Sequence, residues 1–324
     1  MLKEALALLA CPRCRGALHE GLRCASCAAE YAAPGGIPDL RLPADERTEA
    51  VRDFYARAPF PGYPPRDSYG WLRARAGRSE LARLLDQAIP GDARIVEVGC
   101  GTGQMSLFLA SADRVVIGAD LTRASLELAE DARRRYATDR ALFVETDLRA
   151  PGLRAGAFDV VYSSGVLHHT PDPRASFAAV ARLLRPGGTI VVGLYNAFAR
   201  LPHRLRRGVA RLTGFRWIPW DPVLRERKAE PARREAWLRD QYRHVEEHRH
   251  TLGEVQGWFR ENGVEYLRAY PDTLLAADRL TGDGLFQAAE DDWPVENVLA
   301  QLSWARTLSH EGGLFMVVGR AAAR

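Results

Sequence analysis

The stretch from Arg94 to Gly103, Arg-Ile-Val-Glu-Val-Gly-Cys-Gly-Thr-Gly, constrains the fold of this chain more than any other. Ile95, Val96 and Val98 form a short β-branched run that predicts a buried strand. Gly99, Gly101 and Gly103 follow at once, and Met105, Leu107, Phe108 and Leu109 then carry helical apolar spacing. Strand, glycine turn and helix in that order predict an α/β unit whose turn lacks Cβ atoms. The backbone can therefore bend sharply and come close to a ligand.

Two nucleotide-binding chemistries compete for such a turn. A dinucleotide site needs G-x-G-x-x-G with the pyrophosphate at the helix N-terminus, but here the third glycine comes one residue early and Gln104 takes the last position. Glu97, two residues before Gly99, also puts a carboxylate beside the turn. It would repel a pyrophosphate and suit a ligand bearing an ammonium and a sulfonium. Val96 to Gly103 resembles motif I of the class I S-adenosylmethionine-dependent methyltransferases, within their ubiquinone/menaquinone-methyltransferase-like branch. The resemblance implies an α/β fold with a Rossmann-like seven-stranded sheet.

The later motifs follow in order. Val115 to Gly118 predicts the second strand, ending in Ala119-Asp120. An acid at that tip, about 20 residues beyond the glycines, is placed to accept from both ribose hydroxyls, or alternatively to cap the helix from Thr122 to Tyr136. Ala141 to Val144 predicts the third strand, running into Glu145-Thr146-Asp147-Leu148. The resemblance implies that Asp147 accepts from the adenine amine and that Leu148 packs on the ring. Phe158 to Ser163 predicts the fourth strand, with Ser164, Gly165 and His168-His169 in the turn after it; Arg174 to Leu184 predicts a helix, Arg185-Pro186-Gly187-Gly188 a turn, and Thr189 to Leu194 the fifth strand. The cofactor residues expected from these motifs are Glu97, Gly99, Cys100, Gly101, Gly103, Gln104, Asp120, Leu121, Thr146, Asp147, Leu148, Ser164 and Gly165. Holding a nucleophile in line with the S-methyl bond is the main task of such a site, and only a poorly acidic acceptor needs a base. His168 and His169 have a side chain suited to proton removal, or they pack. Tyr195 and Asn196, at the tip of the fifth strand, are the other polar candidates for the catalytic pocket.

Ahead of the sheet, Cys11-Pro-Arg-Cys14 and Cys24-Ala-Ser-Cys27 hold four of the five cysteines. Two C-x-x-C turns predict a four-thiolate tetrahedral zinc site, with two disulfides or a redox pair as alternatives. Gly16 and Gly21 are expected at the bends of a small hairpin, and His19 in a loop. Residues 9–40 resemble the zinc ribbon of the small activator protein that partners tRNA and protein methyltransferases. Such a ribbon either staples residues too few to build a core or presents substrate.

The expected organisation is a zinc ribbon at 1–43, a linker with N-terminal helices and a lid at 44–91, and the methyltransferase domain at 92–324. Asp45 to Arg57 and Glu80 to Ala88 predict helices. Residues 58–65, Ala-Pro-Phe-Pro-Gly-Tyr-Pro-Pro, can join neither helix nor central strand, and Phe60 and Tyr63 are lid candidates. Two helical insertions are expected, at about 197–250 and 270–312, before and after a strand at Val264 to Ala269; Leu314 to Val318 predicts the last strand. The first insertion has twelve Lys/Arg against four Asp/Glu between Arg200 and Arg239, with Phe215, Trp217, Trp220 and Trp237 among them. This fits RNA, a cap over a small substrate, or a solvated face. Arginine supplies 43 of the 45 basic residues, Lys3 and Lys228 being the only lysines, so arginine abundance alone carries little weight. His203, His244, His248 and His250 are expected at the surface or in packing. Asp291-Asp292-Trp293 lies in the second insertion.

At 324 residues, 47% hydrophobic and +4 in net charge, the chain has ample core for one main domain with additions. No apolar run is long enough to span a bilayer and no signal-peptide pattern opens the chain, so a cytoplasmic protein is expected, without membrane insertion. The expected function is methyl transfer from S-adenosylmethionine to a small-molecule metabolite, with structural Zn2+. An RNA or protein acceptor, and a non-catalytic adaptor, are the alternatives. The sequence leaves the acceptor atom and the oligomeric state open.

Overall fold

A computed structural model describes the chain except residues 1–2, 44, 57–58, 60–61, 64–66, 220, 227–230, 243–246, 273–279, 290–293, 309–311 and 324. Phe60, Trp220, His244 and Asp291-Asp292-Trp293, singled out above, lie outside the described residues.

In chain order the elements are α1 (Lys3–Leu6), α2 (Glu46–Ala56), α3 (Tyr69–Ala76), α4 (Glu80–Ala88), β1 (Arg94–Val98), α5 (Gln104–Leu109), β2 (Val115–Asp120), α6 (Arg123–Arg135), β3 (Ala141–Glu145) and β4 (Phe158–Ser164). Then follow α7 (Pro173–Ala181), β5 (Leu184–Tyr195), α8 (Leu201–Leu212), α9 (Pro222–Glu226), α10 (Pro231–Tyr242), α11 (Leu252–Glu261), β6 (Val264–Tyr270), α12 (Gly282–Leu285), α13 (Pro294–Thr307) and β7 (Leu314–Ala321).

The seven strands form one sheet in the order β3-β2-β1-β4-β5-β7-β6. Strands β1 to β5 are parallel, and β7 inserts antiparallel between β5 and β6. The order reverses between β1 and β4. In open α/β sheets this switch point opens a crevice at the carboxyl ends of the strands. Central strands buried on both faces must be apolar throughout; Ile95, Val96, Val116, Ile117, Val161, Ile190 and Val191 are all 0% exposed.

Local chemistry sets the helix ends. Asp172 caps α7 by accepting from Ala175 N (2.9 Å), with Pro173 in the first turn. Thr251 caps α11 through Glu254 N (3.2 Å), as the capping-box pattern predicts. The reciprocal half of that box is replaced: Glu254 turns to His250 Nδ1 (2.9 Å). Helix α3, which no apolar spacing announces, is nucleated by Ser68 accepting from Trp71 N (3.2 Å).

The cysteine-rich segment shares its core with the sheet. Leu8, Leu9, Leu18, Leu22 and Leu40 pack in one apolar cluster with Val96, Ile117 and Leu153. Its tail extends the sheet beyond β3: Asp39 bridges Glu145 in parallel, Leu40 N donates to Glu145 O (2.8 Å), and Glu145 N donates to Pro38 O (2.9 Å). Strand β3 therefore presents no free edge here. Gly152 is obligatory at this seam, because a Cβ there would lie 2.5 Å from the Cβ of Leu40.

Candidate active site

A cavity of about 650 Å³ opens at the β1/β4 switch point, within the roughly 300–1,000 Å³ of small-molecule sites. The turn after β1 supplies Glu97, Gly99, Cys100, Gly101 and Gln104; the tip of β2 supplies Asp120 and Leu121. Thr146, Asp147 and Leu148 come from the end of β3, and Ser164 and Gly165 from the end of β4. Of the thirteen residues expected at the cofactor, only Gly103 is off the wall. Its φ is +73° and a Cβ there would meet the Phe143 ring at 2.6 Å. Gly99 likewise has φ +75° and no room toward Val166 (2.2 Å). Internal packing, as much as ligand approach, demands these two glycines.

Asp120 organises the turn. Its Oδ2 accepts from Gly101 N (2.8 Å) and its Oδ1 from Thr122 N (2.8 Å), so one carboxylate ties the glycine loop to the start of α6. Thr122 sits at the cap position without a side-chain cap bond. Glu97, 7% exposed, accepts from the Ser106 hydroxyl. Burial raises both carboxyls: Glu97 is pushed up to about 8, with Ser106 opposing and Asp120 adding to the rise, and Asp120 is raised in the same direction. Among the described residues neither forms an ion pair, whereas Asp147 is already held by Arg149 (2.7 Å), which also reaches Asp45 (2.7 Å).

The helices ahead of β1 complete the near wall through Thr48 and Tyr55 of α2, Leu72 and Arg75 of α3, and Ala82 of α4. Gln104 is held between Arg75 Nη1 (2.8 Å) and Gly62 O (3.3 Å). Tyr63, the described lid candidate, does not line the cavity. It lies behind the glycine turn, where its hydroxyl donates to Thr102 O (2.6 Å).

The far wall divides the four catalytic candidates. His169 and Tyr195 line the cavity, but His168 and Asn196 do not. His168 is 0% exposed, its ring 3.9 Å from that of Tyr195. Asn196, also 0% exposed, spends its side chain on structure: Oδ1 accepts from Phe198 N and Ala199 N (3.0 Å each) and Nδ2 donates to Gln301 (2.9 Å). A residue at a strand tip looks the same in sequence whether it points inward or caps the next turn.

Two far-wall residues come from the insertion. Trp237 and Gln241 of α10 line the cavity, and Gln241 Nε2 donates to the Tyr195 hydroxyl (2.6 Å). Gln241 Oε1 in turn accepts from Arg200, which is 0% exposed, lies 3.7 Å from the Tyr195 ring centroid and pairs with Glu247 (2.9 Å). Burial works against charge on Glu247, but Arg200 above all holds it down to about 2. His203 is buried and lowered to about 3 by burial and by Arg200, so it packs as a neutral ring. The insertion has its own core of Ala210, Val223, Leu224, Trp237, Leu238 and Tyr242, and so forms a cap. Trp237 stood out in sequence as an aromatic; Gln241 carried no signal.

At the far edge of the sheet, the sulfurs of Cys11, Cys14, Cys24 and Cys27 all lie within 4.8 Å of one another, and none is in a disulfide. Ligands about 2.3 Å from a tetrahedral zinc would lie roughly 3.8 Å apart, so the donor set fits such an ion. Ser26 N (3.4 Å) and Cys27 N (3.5 Å) point at the Cys24 sulfur, and the Tyr31 hydroxyl lies 3.0 Å from that of Cys11. Gly16 has no room for a Cβ, which would meet Ser26 Oγ at 2.5 Å. His19 is exposed and outside the cluster.

Residues 96–192 match the family described as "Methyltransferase domain". An uncharacterized protein of Synechococcus sp. is 27% identical over 268 residues, covering 74% of this chain and 64% of its own length. The 27-O-demethylrifamycin SV methyltransferase of Amycolatopsis mediterranei is 33% identical over 102 residues, covering 31% of this chain and 38% of its own. The chain thus spans less than two thirds of these relatives. Among solved structures the [4+2]-cyclase SpnF superposes with a TM-score of 0.50 at 16% identity, over 87% of this chain and 99% of that one; the likeness is one of fold. No described helix is long and apolar enough to cross a membrane. The strand order and the motif match together make residues 96–192 similar to a methyltransferase domain.

Proposed function

We propose that the chain transfers a methyl group from S-adenosylmethionine to a small acceptor enclosed in the capped cavity, by direct displacement. The observation that carries this is a pair of carboxyls, buried Glu97 and half-buried Asp120, on one wall of the cavity and without a cationic partner among the described residues. Their raised pKa values mark a site short of positive charge. The donor would supply a methyl group on a cationic sulfur together with an ammonium, which answers that shortage. Asp120 would take the ribose hydroxyls, Asp147 and Leu148 the adenine, and Glu97 the cationic end.

On the opposite wall His169 would accept the proton of a hydroxyl or amine acceptor, while Tyr195 and Gln241 orient it. A cavity of about 650 Å³ walled by Trp237 and the helices ahead of β1 has the size of a small-molecule site, which favours a small acceptor over a polymer. The name of the Amycolatopsis relative, a demethylrifamycin methyltransferase, points the same way. Cys11, Cys14, Cys24 and Cys27 would hold one structural Zn2+ in a ribbon of residues 1–43, ahead of a linker at 44–91 and the catalytic domain at 92–324.

The test is calorimetric titration with S-adenosylmethionine, followed by detection of S-adenosylhomocysteine with a panel of small acceptors. Because a [4+2]-cyclase shares the fold, product detection is essential. Failure to bind S-adenosylmethionine would sink the proposal and leave the adaptor; binding with turnover only on RNA or protein would overturn the small-acceptor part. Exchanging His169 for Gln is expected to lower turnover about hundredfold with donor affinity unchanged. Unaltered turnover would leave His169 a packing residue.

A further inference from the structure

The described residues include nine large hydrophobic side chains that stand exposed, and eight of them lie on α8, the turn after it, and α13. They therefore lie in two stripes and are not scattered singly. On α8 they are Leu201, Leu205 and Leu212, the last two 75% and 90% exposed, with Trp217 56% exposed just beyond. Positions 201, 205 and 212 fall on one stripe of a helix, while His203 and Ala210, on the opposite side, are buried. Helix α13 carries a second stripe at Val295, Val298, Leu299 and Leu302. The two helices adjoin, since Pro202 and Arg206 of α8 line one small crevice with Ala305 of α13.

The flanking charge indicates what covers this face. Residues 200–219 contain six arginines and no acid, against one exposed acid, Glu296, beside the stripe of α13. The abundance of arginine is general in this chain, but the absence of acids here is not. Arg204, Arg211 and Arg216 are exposed beside the leucines, whereas Arg200 and Arg207 are committed to Glu247.

We propose that α8 and the turn after it, with α13 beside them, dock on an anionic lipid bilayer. A helix with leucines on one stripe, arginines along its flank and a tryptophan at its end is built to lie in the headgroup plane. A second copy of the chain would bring like charges together. RNA phosphates would satisfy the arginines but leave the leucines and valines in water, with Trp217 the one exposed ring for stacking among the described residues of these stripes. The inference concerns this face alone and stands whether or not the cavity transfers methyl groups.

The experiment is co-sedimentation of the full chain with vesicles of phosphatidylcholine alone and of phosphatidylcholine mixed with phosphatidylglycerol, at low and high salt. Binding is expected only to the phosphatidylglycerol vesicles and should weaken with salt. The pair Leu205→Glu with Leu212→Glu, and separately Arg204→Glu with Arg211→Glu, should each lower vesicle affinity about tenfold or more. Leu128→Glu, at the ninth exposed hydrophobic, should not. These sites are exposed, so an unchanged melting curve will show that the variants fold. Absence of binding to phosphatidylglycerol vesicles would overturn the proposal. So would variants that bind like the parent, or variants that lose only self-association, RNA or an acidic protein.

Discussion

The two walls of the cavity solve opposite electrostatic problems. On the β1–β3 side, buried Glu97 and half-buried Asp120 have no ion pair among the described residues, and desolvation lifts both toward the protonated form. On the β5–α10 side, Arg200 and Glu247 are equally deep, but they neutralise each other and leave Gln241 and the Tyr195 hydroxyl as neutral groups at the cavity. An uncompensated buried carboxylate is tolerable only if it protonates or if a ligand brings the missing charge. A compensated pair asks nothing of a ligand and fixes side chains in place. One wall is thus set to recognise charge, and the other to recognise shape and a few hydrogen bonds.

The largest effect should come from a perturbation far from both walls. If the four thiolates hold the proposed zinc, chelating it, or changing Cys14 and Cys27 to serine, should unfold the cysteine-rich segment, because binding free energies of about 10 kcal/mol or more at structural zinc sites are folding free energy. Leu40 accepts from the Thr146 hydroxyl and pairs with Glu145, so donor affinity should fall as well. Thermal melts with calorimetry will report both, and full donor affinity in metal-free protein would uncouple the ribbon from the charged wall.

Next in size is Asp120→Asn, expected to weaken donor binding about hundredfold, the scale for hydrogen bonds to a charged group, while leaving the acceptor KM alone. An unaltered donor Kd would break the contrast between the walls.

A smaller effect is the pH dependence set by Glu97. Burial raises its carboxyl from 4.5 to about 8. The stability this contributes is present below pH 4.5 and is lost as pH rises through about 8. A bound cation favours the ionised form, so binding releases a proton, and donor affinity should climb by up to about tenfold per unit between pH 6 and 8. Glu97→Gln should flatten that slope and make the empty protein more stable above pH 8. A slope that persists in the variant would assign it to another group.

The smallest effects belong to the neutral wall. Tyr195→Phe or Gln241→Ala should raise the acceptor KM about fivefold, the equivalent of one ordinary hydrogen bond, with no change in donor affinity. A change in donor affinity instead would erase the division between the walls.

The charged wall was legible because its residues lie close to strand ends in a fixed order. Each strand is a short apolar run with an acid in or just after its last residues, so Glu97 and Asp120 could be placed from spacing, and Asp147 from the resemblance to the methyltransferase motifs. The four cysteines were legible for the same reason, since a C-x-x-C turn chelates locally. His168 and His169 show where this stops. They are consecutive, yet one faces the cavity and the other packs under Tyr195. Asn196 sits beside Tyr195 and turns instead to cap the chain at Phe198 and Ala199. Gln241 joined the site from 46 residues beyond Tyr195 without any local mark.

The sequence by itself determined the parallel α/β core, the glycine turn, the acids at the strand tips and the cysteine cluster, because each depends on neighbours within a few residues. Only the tertiary structure decided which side chains close the cavity, that α10 caps it, that the ribbon tail lengthens the sheet and that α8 leaves its leucines exposed. Those outcomes depend on how elements distant in the chain pack together, and packing is settled by shape and burial across the whole molecule.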